Sequence, residues 1–372
     1  MSVTSRNNMS YPAKKIAFFL PSLEMGGAER VTCSIASGLS EIGYQVLLIV
    51  AQVQKESSLT EIVGKRVAIK YLSCDGVISS IPKLVKLLKK CSPDILFSAM
   101  DHANIAAIVA SKLSGKNVKI IPCVHTNVSS NHRGIRGGVV KFLIKLLYPK
   151  VEVLVAVSNG VLSDLAKVVN LSRINPTVIY NPIVDDFLYS KAKEKVNHEW
   201  FNCDTPIIVS VGRLSAAKNF PLLIDAVSRA QKLRPMRLAI IGEGEERETL
   251  EALIDELNAR SYICLVGMKT NPAKYMRAAN LYVSTSNWEG LPSALIEALA
   301  LGCTIVATNC PSGPSEVLED GKWGQLVPVG DVDKLVSAIH YGLDNKLTIP
   351  RNAVSRFTKD TIISQYVGLI ER

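Results

Sequence analysis

The feature that most constrains the fold is a regular alternation of strand-length apolar segments with helical segments along the whole chain. The apolar segments are KKIAFFL, VLLIVA, DILFSA, KIIPCV, EVLVAVS and TVIY in the first half, and PIIVSVG, LAIIGEG, ICLVG, LYVSTS, CTIVAT and GQLVPV in the second. Most of these runs are continuously apolar rather than alternating, which is typical of parallel strands buried on both faces. Helical stretches such as 29–42 and 81–90 separate most of them. The pattern therefore predicts an α/β protein.

A break in this pattern divides the chain into two domains. The stretch NPIVDDFLYS, residues 181–190, is typical of a linker with a turn, and the alternation resumes after it. We predict two doubly wound domains facing across a cleft, residues 1–183 and residues 184–354, with a helix at 355–372 that packs back on the first domain. Ligands of such sheets bind outside the carboxyl ends of the strands, so the cleft is the expected site.

The excess positive charge of the chain lies entirely in its first half. Residues 1–183 carry 22 Lys and Arg against 10 Asp and Glu, a net charge of +12, whereas residues 184–372 carry 21 against 23, a net charge of −2. This asymmetry favours a polyanionic partner, either nucleic acid or an anionic membrane surface, and the alternative is a solubilising face. The basic stretches lack interleaved aromatic residues and nucleic-acid motifs, so no nucleic-acid partner is expected.

The lack of a signal-type or membrane-spanning apolar segment, together with the spacing of the cysteines, predicts a cytoplasmic protein. No apolar run approaches the roughly 20 residues that a membrane-spanning helix needs, and the first 15 residues lack the apolar core of a secretory signal. The eight cysteines form no C-x-x-C pair and have no metal-ligand spacing. They are typical of reduced thiols.

The stretch NWEGLPSALIEALALG, residues 287–302, places two carboxylates on either side of a helix start. Glu289 lies in the loop, Pro292 fits the first helical position, and Glu297 lies on the helix among apolar residues. Backbone N–H groups at this helix start favour a phosphate, so one carboxylate can hold a sugar and the other a ribose diol. The donor-binding residues predicted here are Glu289, Gly290, Leu291, Pro292, Ser293 and Glu297.

Two glycine-containing loops also follow predicted strands. Gly26 and Gly27 open a helix after IAFFL, where they suit either a bound anion or simply a tight turn. Their spacing is not G-x-G-x-x-G, which argues against a nicotinamide dinucleotide. Gly267 is the last residue of ICLVG and Met268 follows it, in a loop whose backbone can face a base edge or merely connect two elements.

Three further side chains lie at predicted strand ends. Arg213 and Lys218 flank a strand-to-helix loop, where they can bind a diphosphate or remain solvated surface cations. His125 follows KIIPCV, where it is either a hydrogen-bonded structural residue or a contact for a sugar or departing phosphate. Asp331 and Asp333 form a D-x-D before a helix, and we interpret Asp331 as a helix cap. No metal and no cofactor are expected.

Two basic stretches of the first half predict contact with a membrane. IPKLVKLLKK places Lys83, Lys86 and Lys90 on one helical face, which can bind the pyrophosphate of a lipid-linked acceptor. The second stretch, RGIRGGVVKFLIKLLYPK, indicates a helix that lies in the plane of a membrane interface. The alternative is a core-facing helix with a solvated basic edge. The cations of the second stretch are Arg133, Arg136, Lys141, Lys145 and Lys150.

Taken in order, these motifs resemble those of family 4 retaining glycosyltransferases, which have the GT-B fold of two Rossmann-like domains. The resemblance covers nearly the whole chain, through GGAER, VHTN, VSNG, NP, VGRLSAAKN, IIGEGEE, VG, EGLPSALIEALALG and CPSGPSEVLEDGKWGQLVPVGD. It implies that Gly26 and Gly27 contact the donor phosphate region and that Arg213 and Lys218 bind the diphosphate. It further implies that Glu289 and His125 contact the transferred sugar and that Glu297 holds the ribose.

The resemblance implies a metal-independent hexosyltransferase that uses a UDP-sugar as its donor. The transferred sugar would be a hexose or an N-acetylhexosamine. NCPSGPSEVL is similar to the branch active in bacterial glycan assembly, so the expected acceptor is a lipid-linked or lipopolysaccharide-type glycan at the inner face of the cytoplasmic membrane. An isomerase similar to UDP-N-acetylglucosamine epimerases is the alternative, since that fold also hosts them. Beyond His125 and the two glutamates, however, the sequence offers no acid–base set for it.

Overall fold

A computed structural model describes residues 14–24, 26–53, 62–131 and 134–372, and within these residues the strands form two parallel sheets. The first sheet contains β1 (Lys15–Leu20), β2 (Gln45–Val50), β3 (Ala68–Tyr71), β4 (Ile95–Ala99), β5 (Lys119–Val124), β6 (Val153–Ala156) and β7 (Asn175–Val178). The second contains β8 (Ile207–Val211), β9 (Arg237–Ile241), β10 (Ile263–Gly267), β11 (Leu281–Ser284), β12 (Ile305–Thr308) and β13 (Gln325–Val327).

Helices connect the strands of both sheets. In the first half they are α1 (Gly27–Glu41), α2 (Ile81–Cys91), α3 (Asp101–Ser114), α4 (Val128–Asn131), α5 (Gly134–Leu147) and α6 (Asn159–Ala166). In the second half they are α7 (Asp186–Ala192), α8 (Phe220–Ala230), α9 (Arg247–Glu256), α10 (Ala273–Ala278), α11 (Ser293–Ala300), α12 (Pro314–Val317), α13 (Val332–Asp344) and α14 (Lys359–Ile370). Short 3₁₀ segments span Tyr148–Lys150, Glu199–Asn202 and Arg351–Phe357.

The predicted fold class is confirmed, and each apolar segment named above overlaps a strand. The strand that the pattern missed is β3, Ala68–Tyr71, which lies at the edge of the first sheet beside β2. Its four residues alternate between exposed and half-buried positions, so it lacks the continuous apolar run that marks the other strands.

The continuous apolar runs arise because helices cover both faces of each sheet. Phe18 and Phe19 are adjacent on β1 and both are buried, but they join different cores. Phe18 packs in the core that includes α1 and α14, and Phe19 packs in the core that includes α2, α3 and α5. The C-terminal helix α14 packs on α1, and a Cβ built on Gly38 would lie 2.5 Å from the side chain of Ile363.

The strand orders place the ends of particular strands next to the cleft. The orders are β3-β2-β1-β4-β5-β6-β7 and β10-β9-β8-β11-β12-β13. The direction of winding reverses between β1 and β4 in the first sheet and between β8 and β11 in the second. Loops after the strands at such a reversal diverge and leave a crevice. The motifs predicted to bind the donor follow β1, β8, β10 and β11.

Candidate active site

The helix start after β11 is built as the sequence predicts, with a shift of one residue. Helix α11 begins at Ser293, and Pro292 is its N-cap residue with φ −75° rather than its first helical residue. Gly302, with φ +74°, follows the end of the helix, a conformation that favours glycine. Glu297 lies one turn after Ser293 and is buried.

Glu289 and Lys218 meet at this helix start. The ammonium of Lys218 lies 2.5 Å from Glu289 Oε1, and the hydroxyl of Ser286 donates to the same oxygen at 2.7 Å. The amide of Asn287 donates to the carbonyl of Ala216 at 2.8 Å, so the loops after β8 and β11 are tied together. The structure therefore brings together a cation, a carboxylate and the N-terminus of α11.

Arg213 follows β8 as predicted but turns toward a different loop. Its Nε donates to Glu245 Oε2 at 3.0 Å, and the side chain is 74% exposed. Glu245 lies in the loop after β9, which is the neighbour of β8 in the second sheet. Lys218, by contrast, is 23% exposed and sits on Glu289. Of the two predicted diphosphate cations, Lys218 is the one that contacts another predicted site residue.

Gly290 joins the two domains at the seam of the cleft. A Cβ built on Gly290 would lie 1.9 Å from the carbonyl oxygen of His125, so only glycine allows this approach of the two backbones. The hydroxyl of Ser158 in the first domain donates to the carbonyl of Gly290 at 2.8 Å. The backbones that carry His125 and Glu289 are therefore neighbours.

Asp101, whose charge acts on His125, belongs to a buried polar network that was not predicted from the sequence. Burial lowers the pKa of His125 to about 4, and the charge of Asp101 opposes this shift. Asp101 accepts a hydrogen bond from the Tyr148 hydroxyl at 3.0 Å, and Asn104 donates to the same hydroxyl at 3.0 Å. The available signal was the position of Asp101, which lies two residues after β4 at the reversal of the first sheet.

Gly27 and Glu297 line one cavity of about 410 Å³ between the domains. Gly26 is the N-cap residue of α1 and Gly27 its first residue, so this helix begins at the cleft. Arg30 on the same helix places Nη1 3.6 Å from Glu297 Oε1. Burial raises the pKa of Glu297, Arg30 opposes the shift, and Asp185 adds to it.

The loop after β10 lies beside a second, smaller cavity. Gly267 adopts φ +80°, and the Met268 side chain that follows is 58% exposed. Residues 270–273 and Glu297 line a cavity of about 30 Å³. Gly267 and Met268 therefore precede a loop that approaches Glu297.

The cationic helices of the first domain differ in how their lysines are used. On α2, Leu84 and Leu88 are buried and Lys83, Lys86 and Lys90 are exposed. The ammonium of Lys83 donates to the carbonyls of Leu72 and Ser73, both at 2.9 Å, and would have to leave them to bind a pyrophosphate.

Helix α5 buries one face and exposes an apolar stripe on the other. Gly137, Ile144 and Leu147 are buried, which agrees with the core-facing alternative for this helix. The opposite face carries four exposed apolar side chains at helical spacing, at 91, 55, 64 and 48% exposure: Ile135, Val139, Phe142 and Leu146. Arg136, Lys141 and Lys145 lie on the same helix, and Lys141 Nζ donates to the carbonyl of Ser129 at 3.0 Å. Arg133 lies outside the described residues.

The structure also bears on the D-x-D sequence, on metal binding and on membrane spanning. The side chain of Asp331 accepts from the backbone N–H of Lys334 at 2.9 Å, which confirms it as the cap of α13. In the described ranges, no group of three or more His, Cys, Asp or Glu side chains is placed to hold a metal ion. None of the helices in those ranges has both the length and the apolar character to cross a bilayer.

Comparison with protein families gives two matches that meet at the linker. Residues 25–187 match the model described as Glycosyltransferase Family 4. Residues 192–360 match the model described as Glycosyl transferases group 1. The first matched region contains β2 to β7 of the first sheet, and the second contains β8 to β13, the whole second sheet.

Individual relatives match over most of their length. The N-acetylgalactosamine-N,N'-diacetylbacillosaminyl-diphospho-undecaprenol 4-alpha-N-acetylgalactosaminyltransferase of Campylobacter jejuni is 32% identical over 90% of this chain and 92% of its own. An amylovoran biosynthesis glycosyltransferase of Erwinia amylovora is 26% identical over 79% of this chain and 80% of its own. In fold, the chain is similar to Anabaena HepE solved with UDP and glucose, with a TM-score of 0.81, 20% identity, and coverage of 96% and 99%.

Proposed function

This chain belongs to the family 4 glycosyltransferases, and we propose that it moves a hexose or N-acetylhexosamine from a UDP-sugar to a lipid-linked glycan with retention of configuration. The acceptor would belong to bacterial surface polysaccharide or oligosaccharide synthesis. The relatives are glycosyltransferases, so they do not support the epimerase alternative.

The observation that carries this proposal is the meeting of Lys218, Glu289 and the start of α11 at the seam between the domains. A donor that binds there would place its diphosphate on a helix N-terminus with a cation beside it. Its sugar would lie between Glu289 and His125. Glu297, one turn along α11, is then the partner for the ribose.

The chemistry follows from charge development during transfer. As the bond from the anomeric carbon to the diphosphate oxygen breaks, the sugar gains oxocarbenium character and the diphosphate gains negative charge. Once the donor is bound, Lys218 and the N–H groups at the start of α11 stabilise that charge without further rearrangement during the transfer, and Arg213 would add to it by leaving Glu245. The acceptor hydroxyl then bonds to the anomeric carbon on the same face, and its proton passes to the leaving phosphate oxygen. These steps involve neither a protein nucleophile nor a metal ion.

UDP is the proposed nucleotide for two reasons. The Anabaena protein of the same fold was solved with UDP, and the C. jejuni relative is an N-acetylgalactosaminyltransferase. The undecaprenol diphosphate in the name of that relative also supports a lipid-linked acceptor for this chain.

A lipid-linked acceptor places the reaction at a membrane, and α5 supplies a surface for it. Ile135, Val139, Phe142 and Leu146 form an exposed apolar stripe, and Arg136 and Lys145 lie on the same helix. A helix with an apolar stripe and flanking cations binds in the plane of an anionic interface. We therefore place the enzyme peripherally on the inner face of the cytoplasmic membrane.

A transfer assay with UDP-hexoses and UDP-N-acetylhexosamines and a lipid-linked acceptor tests the function. We expect product with one of these donors, also in the presence of EDTA, and no change in the sugar when acceptor is omitted. Lys218→Ala and Glu289→Ala should each lower kcat/KM about 100- to 1000-fold, as loss of a charge-stabilising group does. Glu245→Gln, which removes only the surface partner of Arg213, is the matched control and should retain most activity. Near wild-type kcat/KM in both cleft variants would show that the site is elsewhere.

A further inference from the structure

Arg30 extends from the first domain to the donor side of the cleft, and it is not among the site residues predicted from the sequence. It lies on the first turn of α1, and its guanidinium forms the ion pair with Glu297 of α11 at 3.6 Å. The two ends of this pair differ in accessibility: the Glu297 side chain is 10% exposed and the Arg30 side chain 54%. A buried carboxylate needs a counter-charge, and Arg30 supplies it from the opposite domain.

Arg30 also stands between the two cavities of the cleft. The cavity of about 410 Å³ is lined by Gly27 and Ser293, and the cavity of about 30 Å³ is lined by residues 270–273. Arg30, Phe187 and Glu297 line both. The smaller cavity has room for a water molecule or two rather than for a nucleobase. Moving the Arg30 side chain would therefore join the helix start of α11 to the loop after β10.

A second position for the guanidinium lies within its reach. Ser293 and Glu297 are four residues apart on α11, which corresponds to about 6 Å along the helix axis. Both residues line the same cavity as Arg30. A long arginine side chain can cover this distance by rotamer changes. Its planar fork forms bidentate hydrogen bonds with phosphate oxygens, which a nucleoside diphosphate would present at the start of α11.

We propose that Arg30 is a donor-binding residue that exchanges partners when a nucleoside diphosphate binds. The ribose hydroxyls take over Glu297, and the guanidinium of Arg30 moves one turn along α11 to the diphosphate. The nucleotide thereby replaces the ion pair as the link between the two domains. This inference rests on the proposed function, because it assumes that Glu297 holds the ribose.

Calorimetric titration of UDP and of uridine into four proteins tests the exchange: wild type, Arg30→Gln, Glu297→Gln and the double variant. We expect Arg30→Gln to weaken UDP binding about 10- to 100-fold, as loss of one charge-assisted contact does, and to leave uridine binding unchanged or stronger. The double variant should bind UDP more weakly than Glu297→Gln alone. Lys359→Gln is the matched control, because Lys359 lines the same cavity but pairs with Glu41 at 3.0 Å. Its UDP binding should equal that of wild type.

The outcomes separate this inference from the proposed function. If Arg30→Gln binds UDP as tightly as wild type or more tightly, or if the double variant equals Glu297→Gln, Arg30 merely neutralises Glu297 and the inference is overturned while the function stands. If wild type binds none of UDP, GDP, ADP and CDP, both fall. Arg30→Lys retains the charge beside Glu297 but lacks the fork. Weakened UDP binding by Arg30→Lys at wild-type Tm supports the inference even where Arg30→Gln is unstable.

Discussion

The two halves of the molecule use their charges in opposite ways. In the second half, many cations pair with carboxylates of the same half, as in Lys218 with Glu289 and Arg247 with Glu243 at 2.7 Å. In the described part of the first half, the Lys and Arg side chains that form ion pairs are Lys14 and Arg30, and both partners belong to the second half. The net charges of +12 and −2 therefore correspond to a half with surplus cations and a half whose charges are largely matched.

This difference indicates two kinds of anionic partner. Matched charges around a cleft suit a single small ligand, which displaces a few defined contacts such as the one between Lys218 and Glu289. Unmatched cations spread over a domain surface suit an extended anion, whose attraction adds up over many weak contacts. The first half also has α5, whose apolar stripe would add hydrophobic contacts with a membrane to the electrostatic attraction.

The largest effect that separates the halves should come from the apolar stripe. Replacing Phe142 and Leu146, which are 64 and 48% exposed, with Ser removes two side chains that would insert into the interface. Burying such a side chain contributes about 1.5–3 kcal/mol, so we expect the double variant to bind liposomes about 100-fold more weakly in sedimentation assays. The Tm should be unchanged because both side chains already face solvent.

Leu233 provides the matched control for this experiment. It is 79% exposed but belongs to the second half, so Leu233→Ser should bind liposomes like wild type. Equal losses in the two proteins would indicate general stickiness rather than a membrane-binding face on α5. Liposome binding by wild type that is indifferent to both anionic lipid and salt would remove the membrane proposal altogether.

The fold was largely predictable because burial on both faces leaves a strong pattern in single strands. The edge strand β3 was missed because Ala68–Tyr71 is short and only half covered, so tertiary pairing with β2 rather than its own sequence defines it. The helix start after β11 was predicted within one residue, since proline and glycine limit the backbone there. The burial pattern of single strands and the conformational limits of proline and glycine were therefore enough to predict most of the architecture.

The side-chain partners in the site were less predictable than the backbone. Arg213 pairs with Glu245 because the loops after β8 and β9 are neighbours, and no spacing along the chain reveals which carboxylate lies closest. Arg30 reaches Glu297 only because α1 and α11 face each other across the cleft. Such contacts depend on the packing of two domains, which strand and helix patterns do not encode.

A smaller effect on liposome binding or on Tm should follow from removing unpaired cations of the first half or a paired cation of the second half. Lys86→Gln with Lys90→Gln removes two exposed cations of α2 and should weaken binding to anionic liposomes about fivefold per cation, since each is typically worth about 1 kcal/mol near such a surface. It should leave the Tm unchanged. Arg247→Gln breaks contacts to Glu243 and Glu251 at 2.7 and 2.9 Å, so it should lower the Tm slightly and leave liposome binding unchanged. A Tm loss in the lysine variant, or weaker liposome binding in the arginine variant, would contradict the division between the halves.

The smallest effect concerns His125, which lies where the halves meet. Its pKa is lowered from 6.5 to about 4 by burial, against the charge of Asp101, so the ring is neutral from pH 5 to 8 in the folded protein. As the pH falls below 6.5, the unfolded chain takes up this proton first, so the contribution of His125 to stability is fully present above pH 6.5 and is lost toward pH 4. We therefore expect the drop in Tm between pH 7 and pH 5 to be smaller in His125→Gln than in wild type.

The ratio of kcat/KM between the two proteins should stay constant from pH 5.5 to 8, because a neutral ring that contacts the sugar has no titration in that range. A step in this ratio near pH 6.5 would mean that His125 is solvated and charged during the reaction, so that the seam at Gly290 would be open in the working enzyme.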